Sequence, residues 1–179
     1  MHRILIISAS VRKGRKSDRV ALFFKNYIQE NALAEVSIAD LDTYRFPIFE
    51  ERLKNLSDPP EGLVEIAARI QSASAILMVT PEYNGGYPAS LKNLVDALYE
   101  EWLHKPIAIA TVSSGPFGAS QVLQQISFVL WKMGAQVVPV KFQVAQVENS
   151  YNELGEPAQK EKVEKLAGGF LKGLLDSIR

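Results

Sequence analysis

Short apolar runs alternate with amphipathic segments along the whole chain. Arg3–Ile7, Val36–Leu41, Ala75–Thr80, Ile107–Val112 and Gln136–Phe142 are brief and rich in branched apolar residues, as strands buried on both faces are. Between them, apolar residues recur at helical spacing. Asp18–Glu30 places Val20, Phe23, Phe24, Tyr27 and Ile28 on one face, and Gly62–Ser72 does the same with Leu63, Ile66, Ala67 and Ile70. Ala89–Trp102, Ala119–Met133 and Ala158–Ile178 complete the predicted helices, and residues 145–157 read as loop. Strands alternating with helices predict an α/β fold whose five-stranded parallel sheet is covered by helices on both faces. Right-handed crossovers then leave few strand orders. One connection is unusually long. Thr43–Pro60 contains Pro47, Pro59 and Pro60, and we expect a surface excursion with a short helix at Glu50–Leu56, the alternative being a flap over a site.

The strand order 2-1-3-4-5 suits this count, giving a flavodoxin-like three-layer fold. A chain of 179 residues, 47% hydrophobic and 22% charged, suits one domain spanning 1–179. Twenty basic residues balance twenty acidic ones and are dispersed, so no nucleic-acid partner is expected. The absence of cysteine excludes disulfides, thiolate nucleophiles and cysteine-held iron–sulfur clusters. His2 and His104 are too few for a histidine-rich metal site, and none is expected. No apolar stretch approaches the ~18 residues of a membrane-crossing helix. Ile4–Ile7 is too short for a signal-peptide core. The expectation is a cytoplasmic protein.

In this topology the carboxyl ends of strands one, three and four meet, and ligands of open parallel sheets bind there. Three loops converge on that edge. The first, Ser8–Ser17, carries the hydroxyls of Ser8, Ser10 and Ser17 and the guanidinium of Arg12. It precedes a helix whose free N–H groups favour anions, so it reads as a phosphate grip. The alternative is a solvated loop with Ser17 as a helix N-cap and Lys13, Arg15 and Lys16 merely exposed. Gly14-Arg15-Lys16-Ser17 falls short of a P-loop, and the dinucleotide glycine fingerprint is absent, which makes Asp40 a turn residue closing strand two rather than a ribose ligand. The second loop, Pro81-Glu82-Tyr83-Asn84-Gly85-Gly86-Tyr87-Pro88, is framed by prolines and permits close backbone approach by a flat ligand. The third, Ser113-Ser114-Gly115-Pro116-Phe117-Gly118, offers small hydroxyls and two glycines. A phosphate grip at one end and rigid backbone at the other match flavin mononucleotide (FMN). Backbone N–H groups of residues 82–85 would meet the ring edge, and Tyr83 or Phe117 its face or rim.

Pro81-Glu82-Tyr83-Asn84 followed by Pro88, Leu91, Lys92, Asn93 and Asp96 resembles the signature of the NADPH-dependent FMN reductase family. Ser10-x-Arg12 with Ser17 resembles that family's phosphate loop, and Ser113–Gly118 its third flavin loop. The resemblance runs nearly the whole chain. Ala9, Gly86 and Ala89 stand where the family often has glycine, serine and glycine. The resemblance implies FMN as cofactor and NADPH or NADH as donor. It implies a free flavin, quinone, azo compound or metal oxyanion as acceptor, and a homodimer or homotetramer. Ser10, Arg12 and Ser17 would hold the phosphate. Pro81, Glu82, Tyr83, Asn84 and Gly85 would frame the ring, and Ser113, Ser114, Gly115 and Gly118 would line its flank. No side chain need act as a nucleophile, because the flavin carries the chemistry. Lys92, Asn93 and Asp96 read as structural. Two other classes share the scaffold: a flavodoxin-like electron carrier, against which the neutral charge weighs, and a flavin-free binding module.

Overall fold

The structure, a computed structural model, describes residues 1–44 and 46–178. Its strands are β1 (Arg3–Ser8), β2 (Glu35–Asp40), β3 (Ala75–Pro81), β4 (Pro106–Val112) and β5 (Gln136–Val144). They form one parallel sheet in the order 2-1-3-4-5. Its helices are α1 (Ser17–Glu30), α2 (Glu61–Ser72), α3 (Ala89–Ala97), α4 (Ser120–Lys132), α5 (Val147–Ser150) and α6 (Lys160–Leu175). The expected flavodoxin-like order is therefore the observed one.

Side-chain alternation along the central strands builds two cores, one on each face of the sheet. Ile4, Ile6, Leu77, Val79, Ala108 and Ala110 pack with α1 and α6. Leu5, Ile7, Ile76, Met78, Ile107 and Ile109 pack with α2, α3 and α4. The first core closes around aromatic rings: Phe24 lies 4.8 Å from Phe142 and 5.4 Å from Phe170, centroid to centroid. Such contacts add to simple area burial. The free edge at β5 is blunted. Pro139 lacks an N–H, Lys141 is exposed, and the register against β4 shifts between Ile107 and Ile109; each feature discourages pairing with another chain.

Several boundaries differ from the expected ones. α3 stops at Ala97, Leu98 turns extended, and a separate 3-10 turn follows at Glu100–Trp102. The Tyr99 N–H donates to Glu101 Oε2 at 3.1 Å in this break. Leu98 and Trp102 stay buried across it, so apolar spacing alone hides the interruption. β5 runs to Val144 because Gln143 and Val144 pair with Thr111 and Val112; an exposed glutamine gives no apolar signal. Residues 145–157 contain α5, and α6 is shorter than expected at both ends. In the long excursion only Leu53–Asn55 is helical, as a 3-10 turn; Arg45 of that segment lies outside the described residues. Asn93 of α3 ties the excursion down. Its Nδ2 donates to the Pro47 carbonyl at 2.9 Å, and its Oδ1 accepts the Phe49 N–H at 2.5 Å.

Candidate functional site

β1 leads into the first loop and β3 into the second, on either side of the point where strand order reverses. The first loop is braced from below. Arg15 Nη1 donates to the Ser10 carbonyl at 2.5 Å, and its Nη2 pairs with the Asp40 carboxylate. The Asp42 N–H also donates to Asp40 Oδ1, at 3.1 Å, so Asp40 is the strand-closing turn residue the sequence predicts. Arg15, merely exposed in the alternative reading of this loop, is the strut that fastens the loop to the end of β2. Its planar fork suits two acceptors at once. Arg12 points away from this network and forms no ion pair with a described residue; its guanidinium lies 5.9 Å from the Tyr83 ring centroid. Ser10 is fully buried. Its Oγ accepts the Arg12 N–H at 3.2 Å and shares a 2.5 Å hydrogen bond with the Tyr83 hydroxyl.

The amino end of α1 opens at the same place. Lys16, not Ser17, occupies the N-cap position, and no side chain caps the helix. Ser17 sits in the first turn, 3% exposed, and its Oγ has no hydrogen-bond partner among the described residues. Ser8, at the other end of the loop, carries a second such hydroxyl. A buried hydroxyl left unpaired costs about 1–3 kcal/mol, so this loop holds polar groups that the protein itself does not satisfy. Lys16 Nζ pairs with the Glu148 carboxylate of α5, and this hydrogen bond holds the Glu148 carboxyl below its ordinary value of 4.5.

The second loop is a tight hairpin. Tyr83 and Gly86 exchange backbone hydrogen bonds, the Tyr83 N–H to the Gly86 carbonyl at 2.8 Å and the reverse at 3.0 Å. Between them Asn84 and Gly85 both have positive φ, 53° and 81°. An Asn-Gly pair is what this turn demands. Ser90 Oγ, at the start of α3, donates to the Ala9 carbonyl at 2.6 Å and locks this loop to the first. In the third loop Ser113 Oγ donates to the Gly115 carbonyl at 2.9 Å, and Thr111 Oγ1 donates to the Gly118 carbonyl at 2.7 Å. Phe117 is 83% exposed at its tip.

The loops enclose a polar cleft of about 270 Å³. Arg12, Ser17, Pro81, Glu82, Tyr83, Ser113 and Ser114 line it. Larger concavities of about 650 and 760 Å³ have no lining residue from these loops, and one of about 620 Å³ touches them only at Val11. Among the described residues there is no cluster of three or more potential metal ligands, and no helix is long and apolar enough to cross a membrane.

A sequence profile of the NADPH-dependent FMN reductases matches residues 2–149. The chain belongs to that family. An NAD(P)H-dependent FMN reductase of Saccharomyces cerevisiae is 31% identical over 149 residues, covering 76% of this chain and 77% of the relative. A quinone reductase of Pseudomonas putida is 31% identical over 148 residues, covering 78% and 76%. Among solved structures, a flavoenzyme NAD(P)H:acceptor oxidoreductase of Paracoccus denitrificans superposes with a TM-score of 0.79 at 22% identity, covering 99% of this chain and 97% of the other. The protein is thus an oxidoreductase by family, and FMN and NAD(P)H are that family's cofactor and donor.

For a member of the NADPH-dependent FMN reductases, the expected site residues divide into two groups. Seven line the cleft directly, and Ser10 reaches it through its bond to Tyr83. Asn84, Gly85, Gly115 and Gly118 lie outside its wall. They shape the loops, Gly118 by letting the chain pass where a Cβ would lie 3.0 Å from Gln143 Cβ. Tyr83 lines the cleft, and its hydroxyl bonds to Ser10 at the loop-one end. Glu148 lines the cleft and Gln125 donates to the Gly85 carbonyl, and neither is among the expected residues. Glu148 belongs to a stretch that reads as loop. Gln125 lies on a helix whose apolar pattern draws attention away from its polar face.

Proposed function

We propose that the protein is an FMN-dependent NAD(P)H oxidoreductase that reduces a quinone or a free flavin, with the FMN phosphate seated in the cleft at the start of α1. The observation that carries this reading is the buried Ser17 hydroxyl beside an uncapped helix terminus and the Arg12 guanidinium, neither of which has a hydrogen-bonding or ionic side-chain partner among the described residues. Those are donors awaiting a dianion, and hydrogen bonds to a charged group contribute about 1.5–3 kcal/mol each. Bound there, FMN would supply two-electron chemistry between the nicotinamide and the acceptor. The chain supplies the rest. Ser10, Arg12 and Ser17 bind the phosphate. Pro81, Glu82 and Tyr83 with the Asn84–Gly85 turn fix the ring's plane. Ser113, Ser114, Gly115 and Gly118 line its flank.

The working form in this reading is a homodimer. Phe128 and Trp131 on α4 are 63% and 65% exposed, with ring centroids 6.0 Å apart. Paired aromatic rings held in solvent on one helix face suit a second copy of the same surface. Apoprotein mixed with FMN and then freed of unbound flavin should stay yellow at one flavin per chain and oxidise NADPH continuously when a quinone is present. Protein that takes up no FMN refutes the assignment. A flavin-loaded protein without NADPH turnover makes it an electron carrier instead.

A further inference from the structure

The Asn84–Gly85 turn does not stand on its own hydrogen bonds alone. One side chain and one main-chain N–H of α4 reach across to it and to Glu82 before it. Gln125 Nε2 donates to the Gly85 carbonyl at 2.6 Å, and the Val122 N–H donates to Glu82 Oε2 at 3.4 Å. Gln121, one helical turn before Gln125, places its Oε1 3.0 Å from where a Gly85 Cβ would lie. The helix that follows the third loop therefore holds the turn at the Gly85 carbonyl and the residue before it at the Glu82 carboxylate. Meanwhile the N–H groups of Asn84 and Gly85 make no hydrogen bond among the described residues. They project from a turn whose backbone is preset by two positive φ values.

We propose that Gln125 is a positioning residue for the ring end of the cofactor. It acts by holding the Gly85 carbonyl, and so fixes the direction of the free Asn84 and Gly85 N–H groups that meet the flavin. This rests on the FMN reading above. Donors fixed before binding need no reorganisation, which is where such groups gain their strength. The contribution belongs to the ring and not to the phosphate, because Gln125 lies outside the cleft around Arg12 and Ser17.

Gln125→Met keeps the length of the side chain and removes its donor. In apoprotein with an unchanged melting temperature, the Tyr83 and Gly86 amides should exchange with solvent roughly three- to tenfold faster, the range of one lost neutral hydrogen bond. FMN and riboflavin affinities should fall together by a similar factor, since both carry the same ring. The midpoint potential of the bound flavin should fall as well, a change that loss of packing alone does not require. Wild-type exchange rates in the variant overturn the grip, and faster exchange with unchanged affinities and potential overturns its role toward the ring. If wild-type protein binds neither flavin, the FMN reading fails on its own, and the proposed role toward the ring fails with it.

Discussion

Ser17 places stability and function in opposition within one side chain. Its hydroxyl is buried without a partner among the described residues, so Ser17→Ala removes an unpaired polar group. The account predicts apoprotein more stable by about 1 kcal/mol in urea unfolding, with FMN binding weakened at the same time. A variant that loses stability shows that the hydroxyl is satisfied in the free protein. The sequence placed Ser17 at the mouth of the site but assigned its alternative role to capping, which Lys16 occupies instead. A one-residue shift at a helix end is invisible to apolar periodicity, since neither residue is apolar. Arg12 and Arg15 show the same limit. Their spacing marks a cationic loop, but which one is braced depends on Asp40, 25 residues away along the chain.

The elements around the cleft add a latch. Lys16 leads into α1 and Glu148 belongs to α5, and their ion pair crosses the cleft wall. Its hydrogen bond lowers the Glu148 pKa. The pair therefore contributes above the ordinary value of 4.5 and is lost as pH falls through the lowered one. Both groups are partly exposed, so the contribution to stability is small. With the FMN phosphate seated as proposed, Lys16 and Glu148 both line its cleft, and the carboxylate would compete with it for the Lys16 ammonium. Glu148→Gln should raise FMN affinity at low salt, leave riboflavin affinity unchanged, and flatten the acid limb of thermal stability. Equal gains for both flavins in a titration series contradict this. The elements themselves were largely legible, because β1, β3 and β4 carry the unbroken apolar runs Ile4–Ile7, Ala75–Val79 and Ile107–Ala110, and α1 and α2 keep their apolar residues on one face. α5 was not, because four residues make too short a period to read.

At the scale of the whole molecule, the exposed rings of Phe128 and Trp131 are apolar surface that the fold leaves uncovered. Light scattering should give a mass twice that of the chain, and Trp131→Glu should yield monomers that retain their helical content. Dimers persisting in this variant place the interface elsewhere. The sheet order was legible because handedness leaves few alternatives. Helix faces that pack on the sheet and those that await a partner look alike in sequence, and only burial separates Ile126 from Phe128.

The central claim is that the cleft recognises a phosphate on a flavin, and calorimetric titration of apoprotein with FMN and with riboflavin tests it most directly. The account predicts that FMN binds at least about tenfold more tightly, and that Arg12→Ala removes about ten- to a hundredfold of FMN affinity while leaving riboflavin unchanged. Equal affinities for the two flavins in the wild-type protein, or no binding of either, contradict it.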